Sequence, residues 1–186
     1  MKTNFLTIAL GFTCLTFWSC KPDAKKDESA NNTGTSKALQ SSDSSWAAMM
    51  RSDDAKMANM KRLASELQLL EGADSVALKR IHSKIDSLPA YRYEMENLEN
   101  SRIDKYDEVC TAAISALKTE ISRIPKATNY QIVNQLVSEI TAADDSVLFY
   151  RKAYDSSADR YNSLSGTGKE SAEGSGKKLP VFRVIP

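Results

Sequence analysis

Apolar residues recur every three to four positions over most of the chain, which is the spacing of one face of an α-helix. Four stretches carry this pattern, and Gly72, Pro89 and Pro125 separate them. Glycine and proline are otherwise sparse, which favours long regular elements over many turns. The pattern therefore predicts an all-α fold, an antiparallel helical bundle or long helical hairpin with about four helices.

The first predicted helix begins near Ser44, with Asp43 or Ser44 as its N-cap, and ends before Gly72. The second begins after the N-cap Asp74 and ends at Pro89. Since the methionines of the first helix keep helical spacing, core packing explains them better than a soft-metal or peptide site does. The expected core residues are Trp46, Met49, Met50, Met57, Met60, Leu63, Leu67 and Leu70, followed by Leu78, Ile81, Ile85 and Leu88.

The third predicted helix covers about 90–124, and the fourth runs from Thr128 or Asn129 to about Leu164. Apolar positions of the fourth alternate steps of three and four without a break, a heptad pattern typical of coiled coils and bundles. So long a helix needs a partner of similar length. The short connection 125–127 predicts that the third helix is this antiparallel partner. The fourth helix's expected seam is Val133, Leu136, Ile140, Ala143, Val147, Tyr150, Tyr154, Ser157, Tyr161 and Leu164.

The N-terminus has the organisation of an export signal. Lys2 precedes an uncharged run over 5–18 that is short for a bilayer span but typical of a signal sequence. The run ends at Ser19–Cys20, which resembles the relaxed lipobox of Bacteroidetes-type lipoproteins. Residues 1–19 are thus predicted to be a lipoprotein signal peptide, with Cys20 carrying the acyl chains, palmitate among them. An ordinary cleaved signal and an uncleaved anchor are the alternatives.

Residues 20–43 contain almost no apolar side chain and are predicted to form a flexible tether to the helical region, 44–164. Lys21 stands where inner-membrane retention in enteric bacteria requires Asp. This favours the outer membrane over the inner one, with the domain facing the periplasm or the cell surface. Residues 165–186 are predicted to be a flexible loop followed by an apolar end, which packs back on the bundle or pairs as a short strand.

The formal net charge is +1, from 25 basic and 24 acidic side chains; without Lys2 the mature chain is neutral, so no nucleic-acid partner is expected. Cys110 lies on the apolar side of its helix and is predicted to be a small buried side chain. His82, the only histidine, has basic neighbours and is predicted to lie at the surface. No metal or cofactor is expected.

The end of the fourth helix carries Arg151, Tyr154, Tyr161 and Asn162, a spacing that resembles the C-terminal signature of the LemA family, roughly R-x-x-Y-N-x-x-V-x-x-Y-N. Asp155 and Ala158 stand where the family has Asn and Val. The resemblance implies a membrane-anchored antiparallel helical bundle without established enzymatic activity. It assigns no role to the signature residues, and packing in the seam is the plain alternative for the tyrosines.

Three Asp-Ser-apolar triplets resemble the acceptor sites used for O-glycosylation of exported Bacteroidetes proteins. Their serines are Ser75, Ser87 and Ser146. Ser75 and Ser87 lie near predicted helix ends, whereas Ser146 lies within a long helix, so occupancy is expected at the first two before the third.

These observations favour a non-enzymatic cell-envelope lipoprotein, LemA-like, that acts as a protein-interaction or structural module. Its membrane contact is the N-terminal lipid, and its protein partner is not identified by the sequence. A lipid or small-molecule carrier that uses the Met-rich first helix is one alternative. A carboxylate-based hydrolase is the other, with acidic pairs at Asp53–Asp54, Glu94 and Glu96, and Asp144–Asp145.

Overall fold

The computed structural model describes residues 24–166 and 177–182. Its four α-helices are α1 (Ala24–Gln68), α2 (Ser75–Tyr91), α3 (Asn100–Arg123) and α4 (Gln131–Gly166). Short 3-10 turns at Met95–Asn97 and Ala127–Asn129 precede α3 and α4. No strand occurs in the described ranges, and the predicted all-α helical bundle is confirmed.

Helix α4 packs along α1 in the opposite direction, while α3 packs mainly against α2. Two side-chain hydrogen bonds mark the α1–α4 register, Ser41 to Ser157 at 3.0 Å and Asn59 to Glu139 at 3.0 Å. The prediction that the third helix is the main partner of the fourth is therefore wrong. Since α4 has 36 residues and α3 has 24, only α1, with 45, is long enough to accompany α4 along its whole length.

Helix α1 begins at Ala24, well before the predicted start at Ser44. Ala38 and Ser42 are buried within the part predicted to be a flexible tether. That prediction is wrong for 33–43 because small side chains let this helix approach α4 closely. A Cβ added at Gly34, for example, would lie 3.5 Å from the Leu164 side chain. Cys20 and the rest of 1–23 lie outside the described residues.

The continuous third helix predicted over 90–124 is interrupted. Helix α2 includes Pro89 in its last turn and extends to Tyr91, and the chain becomes extended at Arg92 before α3 begins at Asn100. The interruption places the side chain of Tyr93 in the interior, where it is 3% exposed. Of the two tyrosines that the apolar spacing of the third predicted helix assigns to the core, Tyr106 is buried, whereas Tyr91 is exposed.

The connection between α1 and α2 contains the predicted N-cap and a glycine turn. Asp74 caps α2 as predicted, and its Oδ1 accepts hydrogen bonds from the backbone N–H groups of Val76 and Ala77 at 2.9 and 3.0 Å. Gly72 has a φ of +84°, which a glycine adopts without strain, in the turn between α1 and α2.

The apolar core lies where all four helices pack together. Core packing is confirmed for three methionines of α1, Met49, Met57 and Met60. The core also includes Leu63, Leu67, Leu78, Ile85, Leu88, Leu117 and Leu136.

The C-terminal segment 177–182 lies against α4, so the prediction that it packs back on the bundle is confirmed. The side-chain amide of Asn162 donates to the Leu179 carbonyl at 2.9 Å and accepts from its N–H at 2.8 Å. Asp155 accepts a hydrogen bond from the Phe182 N–H at 2.7 Å. The predicted flexible loop falls mainly on 167–176, outside the described residues. Within 24–166 and 177–182, no helix has the length and apolar character required to cross a membrane.

Candidate functional site

A cavity of about 180 Å³ lies beside the apolar core, between α1, α3, α4 and the extended segment at Arg92 and Tyr93. Charged and hydroxyl-bearing side chains form much of its wall, and apolar side chains form the remainder. The polar lining residues are Asp53, Lys56, Arg92, Tyr93, Tyr106, Asp107, Thr111, Asp144 and Arg151; the others are Met49, Met50, Cys110, Val147 and Leu148.

Asp53 and Lys56 lie one turn apart on the buried face of α1, and their residues are 6% and 2% exposed. The Lys56 ammonium lies 3.3 Å from Asp53 Oδ1 and 3.2 Å from Asp144 Oδ1 on α4. Tyr106 on α3 donates its hydroxyl hydrogen to Asp53 Oδ2. Buried charges require such partners, since an isolated ion in the interior is strongly disfavoured. The cluster thus joins three helices through polar contacts.

Arg151 on α4 forms a second ion pair at the cavity wall and is 5% exposed. Its two terminal nitrogens donate to the two carboxylate oxygens of Asp107, each at 2.7 Å, a bidentate arrangement. One of these nitrogens also donates to the Tyr93 hydroxyl at 3.0 Å. The guanidinium carbon lies 5.6 Å from the ring centre of Tyr93 and 5.3 Å from that of Phe182, within cation–π range.

Arg92 fixes the extended segment to α1. Its terminal nitrogens lie 2.7 Å from Asp54 Oδ1 and 2.8 Å from the Met50 carbonyl oxygen. Its Nε lies 3.2 Å from Asp53 Oδ2, an ion-pair distance, but its N–H lacks the alignment of a hydrogen bond. These contacts hold Tyr93, the next residue, inside the bundle.

Burial and neighbouring charges raise the pKa values of Cys110, Lys56 and Tyr106 in the cavity wall. Burial raises the pKa of the Cys110 thiol to about 11, so the group is a neutral thiol and not a nucleophile at pH 7. Burial opposes the charge on Lys56, but Asp53 and other neighbours outweigh it and raise the pKa of Lys56. Burial and the Asp53 charge also raise the pKa of Tyr106.

An aromatic cluster adjoins the cavity and consists of Trp46, Tyr93, Tyr154 and Phe182. The rings of Trp46 and Phe182 stack with centres 6.0 Å apart, and Tyr154 meets Trp46 edge-on at 5.4 Å. Tyr154 is fully buried, and its hydroxyl has no hydrogen-bond partner among the described residues. Burial raises the pKa of Tyr154 to about 12.

Three of the four signature residues contact the C-terminal segment. Arg151 and Tyr154 pack against Phe182, and Asn162 binds the backbone of Leu179. Tyr161 is half-buried. Arg151, Tyr154 and Asn162 thus hold 177–182 against α4, a set of contacts that the sequence did not predict.

The glycosylation candidates differ in access. Ser75 and Ser87 are exposed, whereas Ser146 is half-buried and its hydroxyl donates to the Ala142 carbonyl at 2.7 Å. Ser87 lies within α2 and donates to the Lys84 carbonyl, because this helix extends past Pro89.

Two of the three acidic pairs noted in the sequence each contribute one carboxylate to the cavity wall. Asp53 and Asp144 meet across Lys56, while Glu94 and Glu96 are exposed and do not line the cavity. His82 is half-buried, and its Nε2 lies 3.2 Å from Ser65 Oγ. Within the described part of the chain, no group of three or more His, Cys, Asp or Glu side chains is placed to hold a metal.

Sequence reasoning missed the polar side of the cavity, above all Lys56, Tyr93 and Asp107, and it predicted the burial of Tyr106 but not its hydrogen bond to Asp53. One signal was present, because the apolar stripe of α1 has a gap between Met50 and Met57, and Asp53 and Lys56 fall in it at helical spacing. A charged pair inside an otherwise regular apolar stripe indicates a buried polar layer. The partners on α3 and α4 left no comparable signal.

The fold and the site define an all-α helical bundle with an ion-paired cavity beside its apolar core. Comparisons with protein-family models, with curated proteins and with solved structures found no match.

Proposed function

We propose that this protein is a non-enzymatic cell-envelope lipoprotein, a LemA-like helical bundle that binds another protein. Acyl chains on Cys20 anchor it in the outer membrane, with the bundle facing the periplasm or the cell surface. The signal-like sequence of 1–20 and the signature residues of α4 support the anchor and the family likeness.

The observation that carries the interaction role is an exposed apolar pair on α4. Leu148 and Phe149 are 56% and 70% exposed, and the Phe149 ring packs edge-on against Tyr150 at 5.8 Å between centres. Leu148 also lines the cavity. Adjacent large apolar side chains in water favour association, since contact with a partner removes their surface from solvent.

The cluster chemistry supports a non-catalytic role. A carboxylate hydrolase requires two acids free to exchange protons with substrate and water. Asp53 and Asp144 both line the cavity, but the Lys56 ammonium lies between them, and Asp53 also contacts Arg92 and Tyr106. These contacts occupy both carboxylate oxygens of Asp53 and one oxygen of Asp144 with donors from the protein itself.

The interaction is tested by photocrosslinking in native cells. A photoreactive residue replacing Phe149 is expected to give a discrete adduct that the same residue at the exposed Lys152 does not give. The double variant Leu148→Ser/Phe149→Ser is expected to lose the partner on co-purification while keeping its melting temperature. Equal adducts at both positions, or a partner retained by the double variant, would contradict the proposal.

The anchor is tested by Cys20→Ala. We expect this variant to leave the membrane fraction or to accumulate as the unprocessed precursor, because no acyl chain can be attached. Normal processing together with full membrane retention would show that Cys20 is not the anchor.

Surface modification is tested by the intact mass of the protein from its native host. We expect additional mass at Ser75 and Ser87 before Ser146, because the latter is half-buried. A mass equal to the lipidated polypeptide alone would remove the glycosylation hypothesis.

A second function, the binding of a small molecule, is favoured by the cavity of about 180 Å³. Native mass spectrometry of the protein from its own host is expected to show a non-covalent molecule that denaturation releases. The same mass before and after denaturation would argue against a carrier.

A further inference from the structure

We infer that the cavity binds a small zwitterion, specifically a free amino acid with an apolar side chain. This inference rests on the second proposed function, small-molecule binding, and names the ligand class. Three features of the cavity wall carry it, namely its balance of charge, the distribution of its unused donors and acceptors, and its apolar portion.

The wall carries equal numbers of opposite charges. Lys56, Arg92 and Arg151 supply three cations, and Asp53, Asp107 and Asp144 supply three anions. A ligand with a single charge would leave one charge uncompensated in a partly buried space, which is unfavourable. A zwitterion adds none, and its two ends can each meet the opposite sign.

Unused hydrogen-bond donors lie on the cationic groups. The Arg92 side chain is 20% exposed, and two of the four N–H groups on its terminal nitrogens donate to Asp54 and Met50. Lys56 has three N–H groups and two carboxylate neighbours. A carboxylate accepts from such donors through two oxygens, so these side chains fit the acidic end of an amino acid.

The two outer acids of the cavity wall, Asp107 and Asp144, can accept further hydrogen bonds. The side chains of Asp107 and Asp144 are each 45% exposed, whereas that of Asp53 is 6% exposed. Within the described ranges, each outer acid has an ion pair with one cation only, Arg151 or Lys56. A carboxylate has about four acceptor positions, so either acid can also accept from a ligand ammonium.

The remaining wall is apolar and adaptable. Met49, Met50, Val147 and Leu148 line it, and methionine side chains adjust to irregular shapes. A cavity of about 150 Å³ holds a molecule the size of benzene, so 180 Å³ suits an amino acid of leucine size.

Calorimetric titration of the full mature protein with three probes tests the ligand class. The probes are L-leucine, 4-methylpentanoate, which lacks the ammonium, and 3-methylbutylamine, which lacks the carboxylate. L-Leucine is expected to bind at least tenfold more tightly than either analogue. Absence of L-leucine binding, or equal binding of a singly charged analogue, would overturn the inference; ordered water then accounts for the cavity.

Two neighbouring variants locate the site. Asp144→Asn is expected to weaken L-leucine binding at least tenfold, while Asp145→Asn, an exposed neighbour that does not line the cavity, is expected to leave it unchanged. Melting temperatures without ligand confirm that both variants fold. Equal binding by both variants would place leucine elsewhere and overturn the inference. A different molecule in the native mass spectrum, without leucine binding, would overturn it while leaving the carrier function intact.

Discussion

Helix α1 contributes to two layers of the bundle that are held together by different forces. The apolar layer consists of Met60, Leu63, Leu67, Leu78, Leu117 and Leu136. The polar layer consists of Asp53, Lys56, Tyr106, Asp107 and Arg151. Apolar burial is non-directional, so many side chains of suitable volume could fill the first layer. Ion pairs and hydrogen bonds are directional, and each buried partner in the second layer depends on the others. The apolar layer therefore provides cohesion, whereas the polar layer positions α1, α3 and α4 relative to one another around a cavity.

The sharpest test of this difference removes a charge from the polar layer. Lys56→Met is expected to lower the free energy of unfolding by about 3–5 kcal/mol, because Asp53 loses a partner while staying buried. Lys61→Met, on the same helix but with a half-exposed ion pair to Asp86, is the matched control and should cost under about 1 kcal/mol. Denaturant unfolding measures both. Equal effects would mean that the polar layer contributes no more than a surface pair.

The apolar layer is tested by Leu136→Ala. Leu136 is 0% exposed, so truncation is expected to cost about 2–4 kcal/mol through lost burial and a residual cavity. The control Leu69→Ala changes a side chain that is 80% exposed and should cost less than about 0.5 kcal/mol. Chemical denaturation decides, and a loss below about 1 kcal/mol at Leu136 would show that the core relaxes to fill the space.

High pH should lower the free energy of unfolding through Cys110, which lines the cavity. Burial raises the pKa of Cys110 from 9.0 to about 11, so the folded state retains a proton that the unfolded state releases. The resulting stability is present below pH 9 and is lost between pH 9 and 11, with a slope of about 1.4 kcal/mol per pH unit at most.

The control for this loss of stability at high pH is the variant Cys110→Ala, which lacks the titrating thiol. Unfolding free energies measured from pH 8 to 11 should decline less steeply in the variant than in the parent protein. Parallel curves for the two proteins would show that the thiol does not contribute to the alkaline loss.

The smallest expected effect lies at the edge of the polar layer. Tyr154→Phe removes a buried hydroxyl that has no hydrogen-bond partner among the described residues, so a gain of about 1 kcal/mol is expected. Tyr106→Phe, which removes a donor to Asp53, should instead destabilise the protein. Thermal and denaturant unfolding compare the two, and destabilisation by Tyr154→Phe would indicate a water molecule bound to its hydroxyl.

The local features of the chain were predictable because each depends on neighbouring residues. The α2 start at Asp74, the turn at Gly72 and the buried methionines of α1 all follow from capping, glycine geometry and helical spacing. The helix over 24–43 was not predictable on the same basis, because its composition is polar and its described packing depends on α4. The interruption at Arg92 and Tyr93 was likewise missed, because it depends on the interior space into which Tyr93 inserts.

Helical periodicity alone predicted that the chain forms helices and where most of their apolar faces lie, because it marks the face that avoids water. The tertiary structure is needed to show that α1 and not α3 accompanies α4, since a seam pattern does not specify its partner. It also shows that Asp53, Tyr106 and Arg151 meet at one cavity. These residues come from three separate helices, and their contacts depend on the long-range register of the bundle, which no local pattern contains.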